Sequence, residues 1–264
     1  MINKNFLNEP NLLQLANEVF NNVIKFESKV DSKENLLSSK VKEAETINFI
    51  LADGLGYKNL MSLKTSLNNN IKKIINTTFP SSTNVALTTF AMISNPIDHG
   101  IIGYYMYDRT NFGLINALNW NSENESLLNN DYFKNQESIW KKFKSFNTHV
   151  SNFQPENLVG SSLSNFLYEK SSTVPYKTLD NLIEMLSEAS FLENRFNFIY
   201  YPNIDIAGHI FGVYSPEWEL EIKKFEKAVE GISQASNKKT TTIISADHGL
   251  CNIPLENRHN LSYE

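Results

Sequence analysis

The stretch from Thr241 to Leu250 constrains the possible folds more than any other part of this chain. It opens with four β-branched residues, which suit a pleated and covered strand. Asp247, His248 and Gly249 follow, and polar side chains at the end of a buried strand are unfavourable unless something pairs with them. Carboxylate oxygen and imidazole nitrogen are ligands of zinc and related divalent metals. The stretch therefore predicts a metal site, with an ordinary strand-to-loop turn as the alternative.

Two further apolar strands are followed by an acid in the same way. Residues 47–52 run directly into Asp53, and residues 196–201 lead to Asp205. His209 follows Asp205 by four positions, a spacing that places both side chains on one face of a helical turn, where they can bind one metal. Because the carboxyl ends of parallel strands meet at one edge of a sheet, the recurrence predicts a shared site.

Helical patterns alternate with these strands. Apolar residues at helical spacing, or helix-start signals, occur in five segments. The segments lie around residues 10–26, 85–93, 138–146, 175–192 and from 215 onward. The alternation predicts an α/β protein with a largely parallel sheet.

A cluster of hydroxyl groups precedes the helix predicted over residues 85–93. Ser81, Ser82 and Thr83 follow Pro80, which disfavours helix for the residue before it. A hydroxyl at a helix N-terminus faces unpaired backbone N–H groups and the positive end of the helix dipole. That setting stabilises an alkoxide and attracts phosphate, although such hydroxyls more commonly serve only as caps.

The polar groups at the strand ends suffice for two divalent ions. Two metals about 3.5–4 Å apart can clamp the attacking and leaving oxygens of a phosphoryl transfer, and an activated hydroxyl can serve as nucleophile. The P-loop, Rossmann, kinase and esterase Gly-X-Ser-X-Gly patterns are absent from the sequence. His99, in a glycine-punctuated loop, is interpreted as a structural histidine rather than a ligand. The six candidate residues are Asp53, Thr83, Asp205, His209, Asp247 and His248.

Five short motifs in chain order resemble the signatures of the alkaline phosphatase superfamily, and among its branches the type I phosphodiesterase/nucleotide pyrophosphatase family. The motifs lie at residues 53–54, 79–83, 99–104, 205–209 and 246–249. The resemblance implies a three-layer α/β/α sandwich with a largely parallel central sheet. It also implies a metal-dependent hydrolase that cleaves phosphodiester or pyrophosphate bonds through a phospho-threonine intermediate, with two divalent ions that are expected to be Zn²⁺.

The resemblance also assigns roles to individual residues. Thr83 takes the position of the nucleophile, which also contacts the metal, and Ser82 is the nearby alternative. Two metal sites are implied. The ligand positions match Asp53, Asp247 and His248 for the metal that activates Thr83, and Asp205 and His209 for the metal that binds the attacking water.

The chain departs from the family pattern in two places. Tyr104 lies where nucleotide pyrophosphatases of this family carry an asparagine that contacts a phosphate oxygen. Tyr104 is therefore a predicted substrate-binding residue, and the preference between diester and monoester stays open. The family's third ligand of the water-binding metal is a histidine in a C-terminal His-Gly segment. His259 is the only histidine after His248, and it follows the 247–249 motif too closely to match that segment.

These departures shape the domain prediction. We expect residues 1–264 to form a single alkaline-phosphatase-like α/β domain that is incomplete at its C-terminus, with residues 105–195 as an inserted or lid region. The alternative function is therefore a truncated, catalytically inactive member of the same fold that binds one metal or none. A sulfatase or a phosphomutase is a weaker alternative. A sulfatase would need a Cys or Ser inside a Cys/Ser-X-Pro-X-Arg segment, and Cys251 is not part of one.

Composition and charge bound the partners. A formal net charge of −5 disfavours nucleic acid and membrane surfaces. The resemblance implies that the partner is a small-molecule phosphate ester such as a nucleotide. The single cysteine, Cys251, excludes an intrachain disulfide and fits a reducing compartment. Residues 1–26 carry no continuous apolar stretch of the kind that a signal peptide needs. These features predict a cytoplasmic protein.

Overall fold

The computed structural model describes residues 9–24, 35–109, 113–118, 137–143, 148–169, 171–190 and 195–258. Its strands are β1 (Thr46–Ala52), β2 (Tyr105–Asp108), β3 (Gly113–Asn116), β4 (His149–Pro155), β5 (Ser172–Tyr176), β6 (Arg195–Tyr201) and β7 (Thr240–Ser245). Its α-helices are α1 (Leu12–Ile24), α2 (Ser39–Lys42), α3 (Tyr57–Met61), α4 (Thr83–Met92), α5 (Pro96–His99), α6 (Ile139–Lys142), α7 (Ser162–Leu167), α8 (Leu179–Ser190), α9 (Asn203–Phe211) and α10 (Pro216–Ala235). Short 3-10 helices cover Ser66–Asn70, Glu156–Leu158 and Leu255–Asn257. Among the helices of these ranges, none is long and apolar enough to cross a membrane.

Five parallel strands form the central sheet, in the order β5-β4-β6-β1-β7. Strand β1 lies between β6 and β7, and all seven of its residues are buried. Its apolar run suits that position, because strands in parallel sheets are covered on both faces. The predicted α/β fold with a largely parallel sheet is confirmed, and the three strands that precede the acids are neighbours.

Helices cover both faces of the central sheet. On one face, Phe49, Phe196 and Phe198 join a core cluster with residues of α1 and α4. On the other face, Ile50 and Ile199 join a second core cluster with residues of α8, α9 and α10. The two clusters lie on opposite faces of the sheet and give the predicted three-layer α/β/α arrangement.

One helix boundary differs from the sequence prediction. Pro175 was expected in the first turn of a helix over residues 175–192, but it lies in β5, and the helix α8 begins only at Leu179. Strand β5 is at the edge of the sheet and pairs only with β4. A proline is tolerated there because an edge strand does not need every backbone N–H for the ladder.

The segment over residues 105–195, predicted as an inserted or lid region, contributes strands to two different sheets. Strands β4 and β5 belong to the central sheet, whereas β2 and β3 form a separate antiparallel pair. Residues 119–136, which include Trp120, lie outside the described residues. The lid role of residues 105–195 stays a prediction.

His99 is buried in the core beside α4. Its Nδ1 accepts a hydrogen bond of 3.2 Å from the backbone N–H of Ile101, and its Nε2 lies 2.9 Å from the Thr89 hydroxyl. Since Nδ1 is an acceptor, the proton of the neutral ring is on Nε2. Burial lowers the pKa of His99 from 6.5 to about 4, while the nearby charge of Asp98 acts in the opposite direction. These contacts agree with a structural histidine.

The neutral state of His99 makes the stability of the fold depend on pH. The unfolded chain binds a proton at this residue below about pH 6.5, whereas the folded protein does so only near pH 4. Stability from this residue is complete above pH 6.5 and falls as the pH is lowered, by on the order of 3 kcal/mol at pH 4. Urea unfolding at several pH values should show a smaller fall for His99→Gln than for the wild type, and equal falls would contradict the assignment.

Candidate metal centre

The candidate site lies at the carboxyl edge of the central sheet, where three loops meet. Asp53 directly follows β1, and Asp247 and His248 follow β7, the strand that pairs with β1. Thr83 is the first residue of α4. The parallel pairing of β1 and β7 therefore brings together groups that are almost 200 positions apart in sequence.

Four side chains converge at this edge. One ligand atom each from Asp53, Asp247 and His248 lies within 4.8 Å of the other two. The Thr83 hydroxyl is 3.0 Å from His248 Nε2, and it is 3.4 and 3.5 Å from the two carboxylate oxygens of Asp53. Asp53 Oδ1 and His248 Nε2 are 3.4 Å apart. Within the described residues, this is the one group of three or more His, Cys, Asp or Glu side chains with metal-binding spacing.

Backbone hydrogen bonds fix how Asp247 and His248 face the site. Asp247 Oδ1 accepts from the backbone N–H of Gly54 at 3.1 Å and from that of His248 at 2.8 Å. His248 Nδ1 lies 3.2 Å from the carbonyl oxygen of Gly249, so Nδ1 carries the proton and the lone pair of Nε2 points into the site. Asp247 Oδ2 is buried and has no hydrogen-bond partner among the described residues.

The charges of this group call for a cation. Burial raises the pKa of Asp53 well above its ordinary value of 3.8, and the negative charges of Asp247 and Asp205 raise it further. Buried carboxylates this close repel one another unless a positive charge lies between them. Asp247 Oδ2, which accepts no hydrogen bond from the described residues and lies 3.5 Å from His248 Nε2, and the imidazole lone pair complete an oxygen and nitrogen donor set that fits a divalent metal.

A second pair of candidate ligands adjoins the first group. His209 Nε2 is 3.4 Å from Asp205 Oδ2 on α9, as the i, i+4 spacing predicted. Asp205 packs against the Asp53 turn so closely that a Cβ on Gly54 would lie 3.1 Å from Asp205 Oδ1. Asp205 Oδ1 is buried without a hydrogen-bond partner in the described part of the chain. Burial raises the pKa of Asp205, whereas the charge of His209 lowers it.

Asp205 and His209 have no third metal-binding side chain beside them among the described residues. His209 is exposed, and the Asp205–His209 pair does not belong to a described group of three metal-binding side chains. His259 lies outside the described residues.

The structure separates the two hydroxyl candidates. The Ser82 hydroxyl donates to Asn84 Oδ1 at 2.8 Å, whereas the Thr83 hydroxyl faces Asp53 and His248. Ser82 precedes α4 but makes no side-chain capping hydrogen bond to it. The backbone N–H groups of the first turn are therefore not occupied by this cap.

Tyr104 follows a loop that is fastened to α4. The Asn84 side-chain amide donates to the carbonyl oxygen of Gly103 at 2.8 Å, which holds this loop next to Thr83. The Tyr104 ring is half exposed and packs against the ring of Tyr105 with centroids 5.1 Å apart. Its role in substrate binding stays a prediction.

Asn59 is a site residue that the sequence did not reveal. Its side-chain amide donates to the carbonyl oxygen of Leu250 at 2.8 Å and accepts from the N–H of Leu250 at 2.9 Å. Beside it, a Cβ on Gly56 would lie only 2.5 Å from Gly249 Cα. The amide and the close glycine contact hold the loop after β7 against the turn after β1. No local pattern marks this contact, because its partners are distant in sequence.

The comparisons with known proteins identify a matching family model. The model described as type I phosphodiesterase / nucleotide pyrophosphatase matches residues 48–262, which contain every candidate residue named above. A search of curated proteins finds no match.

Solved structures share the fold at low sequence identity. Murine ectonucleotide pyrophosphatase/phosphodiesterase 5, as an inactive threonine-to-alanine variant in complex with AMP, has a TM-score of 0.61 at 14% identity. The match covers 80% of this chain and 58% of that chain. The human protein of that name has a TM-score of 0.57 at 17% identity, with 77% of this chain and 56% of that chain covered. Phosphonoacetate hydrolase from Sinorhizobium meliloti 1021, in complex with phosphonoacetate, has a TM-score of 0.51 at 15% identity, with coverages of 78% and 57%. This chain thus spans less than three fifths of the length of these structures.

Proposed function

This chain belongs to the type I phosphodiesterase/nucleotide pyrophosphatase family, and from that premise we propose that it hydrolyses a phosphodiester or pyrophosphate bond of a small molecule with the help of divalent metal ions. One observation carries the proposal. The Thr83 hydroxyl, at the N-terminus of α4, lies 3.0 Å from His248 Nε2 and 3.4 Å from Asp53 Oδ1. A hydroxyl held among candidate metal ligands at a helix N-terminus is suited to attack phosphorus.

We assign two divalent ions, with zinc as the expected metal, because carboxylate and imidazole donors suit it. Asp53, Asp247 and His248, together with Thr83, would hold the first, and Asp205 and His209 would contribute to the second. When bound, such metals polarise phosphoryl oxygens, lower the pKa of the attacking hydroxyl or water and neutralise the charge of the leaving group.

Thr83 is the proposed nucleophile. In the first step Thr83 Oγ1 loses its proton and bonds to phosphorus, while the bond to the leaving alcohol or phosphate breaks. The leaving oxygen keeps the electron pair and takes up a proton, and phospho-Thr83 results. In the second step a water oxygen replaces Thr83 Oγ1 at phosphorus and restores the hydroxyl. The first-turn N–H groups of α4, which the Ser82 side chain does not cap, would stabilise the phosphoryl oxygens.

The comparisons and the loop at Tyr104 support a substrate class. One structural neighbour binds AMP and another binds phosphonoacetate, and both ligands are small anions with a phosphorus centre. Tyr104 follows Gly103, which Asn84 of α4 holds by a hydrogen bond, and its exposed ring supports a role in contacting the group attached to phosphorus. We therefore propose a small phosphate ester, with a nucleotide as the first candidate.

The proposal is tested by comparing two chromogenic substrates on the zinc-loaded protein. We expect kcat/KM for the p-nitrophenyl ester of thymidine 5′-monophosphate to exceed that for p-nitrophenyl phosphate by at least about tenfold, which is about 1.4 kcal/mol of transition-state discrimination. Chelation of the metal should abolish both activities. Absence of turnover in the metal-loaded protein would contradict the proposal and support an inactive member of the fold.

A further inference from the structure

Tyr200 touches the candidate metal centre from the neighbouring strand. It is the penultimate residue of β6, and its hydroxyl donates to Asp53 Oδ2 at a distance of 2.5 Å. The pairing of β1 with β6 places Tyr200 opposite Leu51, two positions before Asp53. The side chain is partly buried and packs against the core cluster that contains Phe49 and Phe198. None of the candidate roles described above includes Tyr200.

The hydrogen bond distinguishes the two oxygens of Asp53. Oδ2 accepts from the Tyr200 hydroxyl, while Oδ1 lies 3.4 Å from His248 Nε2. Thr83 Oγ1 is nearly equidistant from the two oxygens, at 3.4 Å from Oδ1 and 3.5 Å from Oδ2. A carboxylate that accepts one strong hydrogen bond on one oxygen is restrained about its last side-chain torsion. The other oxygen, Oδ1, is then presented toward His248.

We infer that Tyr200 is a positioning residue of the metal centre, whose hydroxyl fixes the Asp53 carboxylate so that Oδ1 faces the bound ion. The inference rests on the proposed function, because it requires Asp53 to be a metal ligand. Partners of ligating carboxylates commonly act in this way, and their loss weakens metal binding by about 10–100-fold. Without the Tyr200 hydroxyl, Oδ2 loses its shortest hydrogen bond, and the carboxylate is less restrained about its last side-chain torsion.

The backbone of Tyr200 is itself restrained. Its carbonyl oxygen accepts a hydrogen bond of 2.8 Å from the Tyr176 hydroxyl of β5, and the next residue, Tyr201, accepts at its carbonyl from the N–H of Asp53 at 2.9 Å. The hydroxyl of Tyr200 is thus carried by a strand that is tied to the same turn as its acceptor. Such an arrangement preorganises the ligand before the metal arrives.

Tyr201 offers a matched control on the same strand. It is buried, and its hydroxyl donates to Glu221 of α10 on the opposite face of the sheet. Tyr201→Phe and Tyr200→Phe each remove one hydroxyl and one hydrogen bond to a carboxylate. Only Tyr200→Phe removes a bond to a candidate metal ligand.

The experiment compares the zinc affinity of the wild type, Tyr200→Phe and Tyr201→Phe by titration against a competing chelator. We expect Tyr200→Phe to bind zinc about 10–100-fold more weakly than the wild type, and Tyr201→Phe to match the wild type. The visible absorption spectrum of the Co²⁺-loaded protein should change in Tyr200→Phe alone, since only there does the carboxylate of the ligand shell reorient.

The outcomes separate this inference from the proposed function. Tight zinc binding by the wild type that Tyr200→Phe leaves unchanged, with an unchanged cobalt spectrum, would overturn the inference alone. Equal weakening in Tyr201→Phe would also overturn it, because the effect would then come from the fold. Wild-type protein that binds no zinc would overturn the metal centre and this inference with it.

Discussion

Replacing Thr83 with alanine or valine is expected to lower kcat/KM for phosphodiester hydrolysis by on the order of 1,000-fold or more, because the nucleophile of a covalent mechanism has no substitute of equal reactivity. Valine should be the more severe change, since it fills the space in which a water could act in place of the hydroxyl. Steady-state kinetics with the p-nitrophenyl ester of thymidine 5′-monophosphate measure the effect.

Ser82→Ala is the matched control for Thr83. Its hydroxyl is bonded to Asn84 rather than to Asp53 or His248, so its loss should leave most of the activity. Full activity in Thr83→Val, or loss of activity in Ser82→Ala with Thr83→Ala active, would contradict the assignment of the nucleophile.

Asp53→Asn is expected to have opposite effects on metal affinity and on the stability of the metal-free protein. Zinc binding should weaken more than the roughly 100-fold that the loss of a ligand's hydrogen-bond partner can cause, because here the anionic ligand itself is lost. The metal-free protein should become more stable at neutral pH, because the substitution removes one of two buried carboxylates that repel each other and the nearby Asp205. Metal titration and urea unfolding in the presence of a chelator measure the two effects.

The pH dependence of Asp53→Asn provides a second test. Burial and the neighbouring acids raise the pKa of Asp53 above 3.8 in the folded protein. In the pH window between 3.8 and this raised pKa, the folded state holds a proton that the unfolded state has lost. The unfolding free energy of the metal-free wild type therefore falls as the pH rises through the window. Asp53→Asn should reduce this fall, and a metal-free variant less stable than the wild type at pH 7 would contradict the electrostatic account.

The sequence reveals the acids of the site because their signal is local. Asp53 and Asp247 each follow a short apolar strand, and Asp205 and His209 show the spacing of a helical turn. The rule that parallel strands present their carboxyl ends at one edge then brings these residues together. The order of the strands agrees, with β1 between the strands that lead to the other acids.

The residues that support the site, Tyr200 and Asn59, could not be predicted from the sequence, because strand register and folding determine their partners. Tyr200 reaches Asp53 only in the observed pairing of β6 with β1, and Asn59 meets Leu250 across 191 positions. The misplaced start of α8 has a similar cause. Pro175 suits a helix start by local rules, and only the edge position of β5 makes it acceptable in a strand.

The central claim is that Asp53, Asp247 and His248 hold a metal next to Thr83. Anomalous diffraction at the zinc absorption edge, from crystals of the protein grown with zinc, tests it most directly. We predict a strong peak bounded by these three side chains and the Thr83 hydroxyl, with a second peak beside Asp205 and His209. No peak among Asp53, Asp247 and His248 at saturating zinc would contradict the claim.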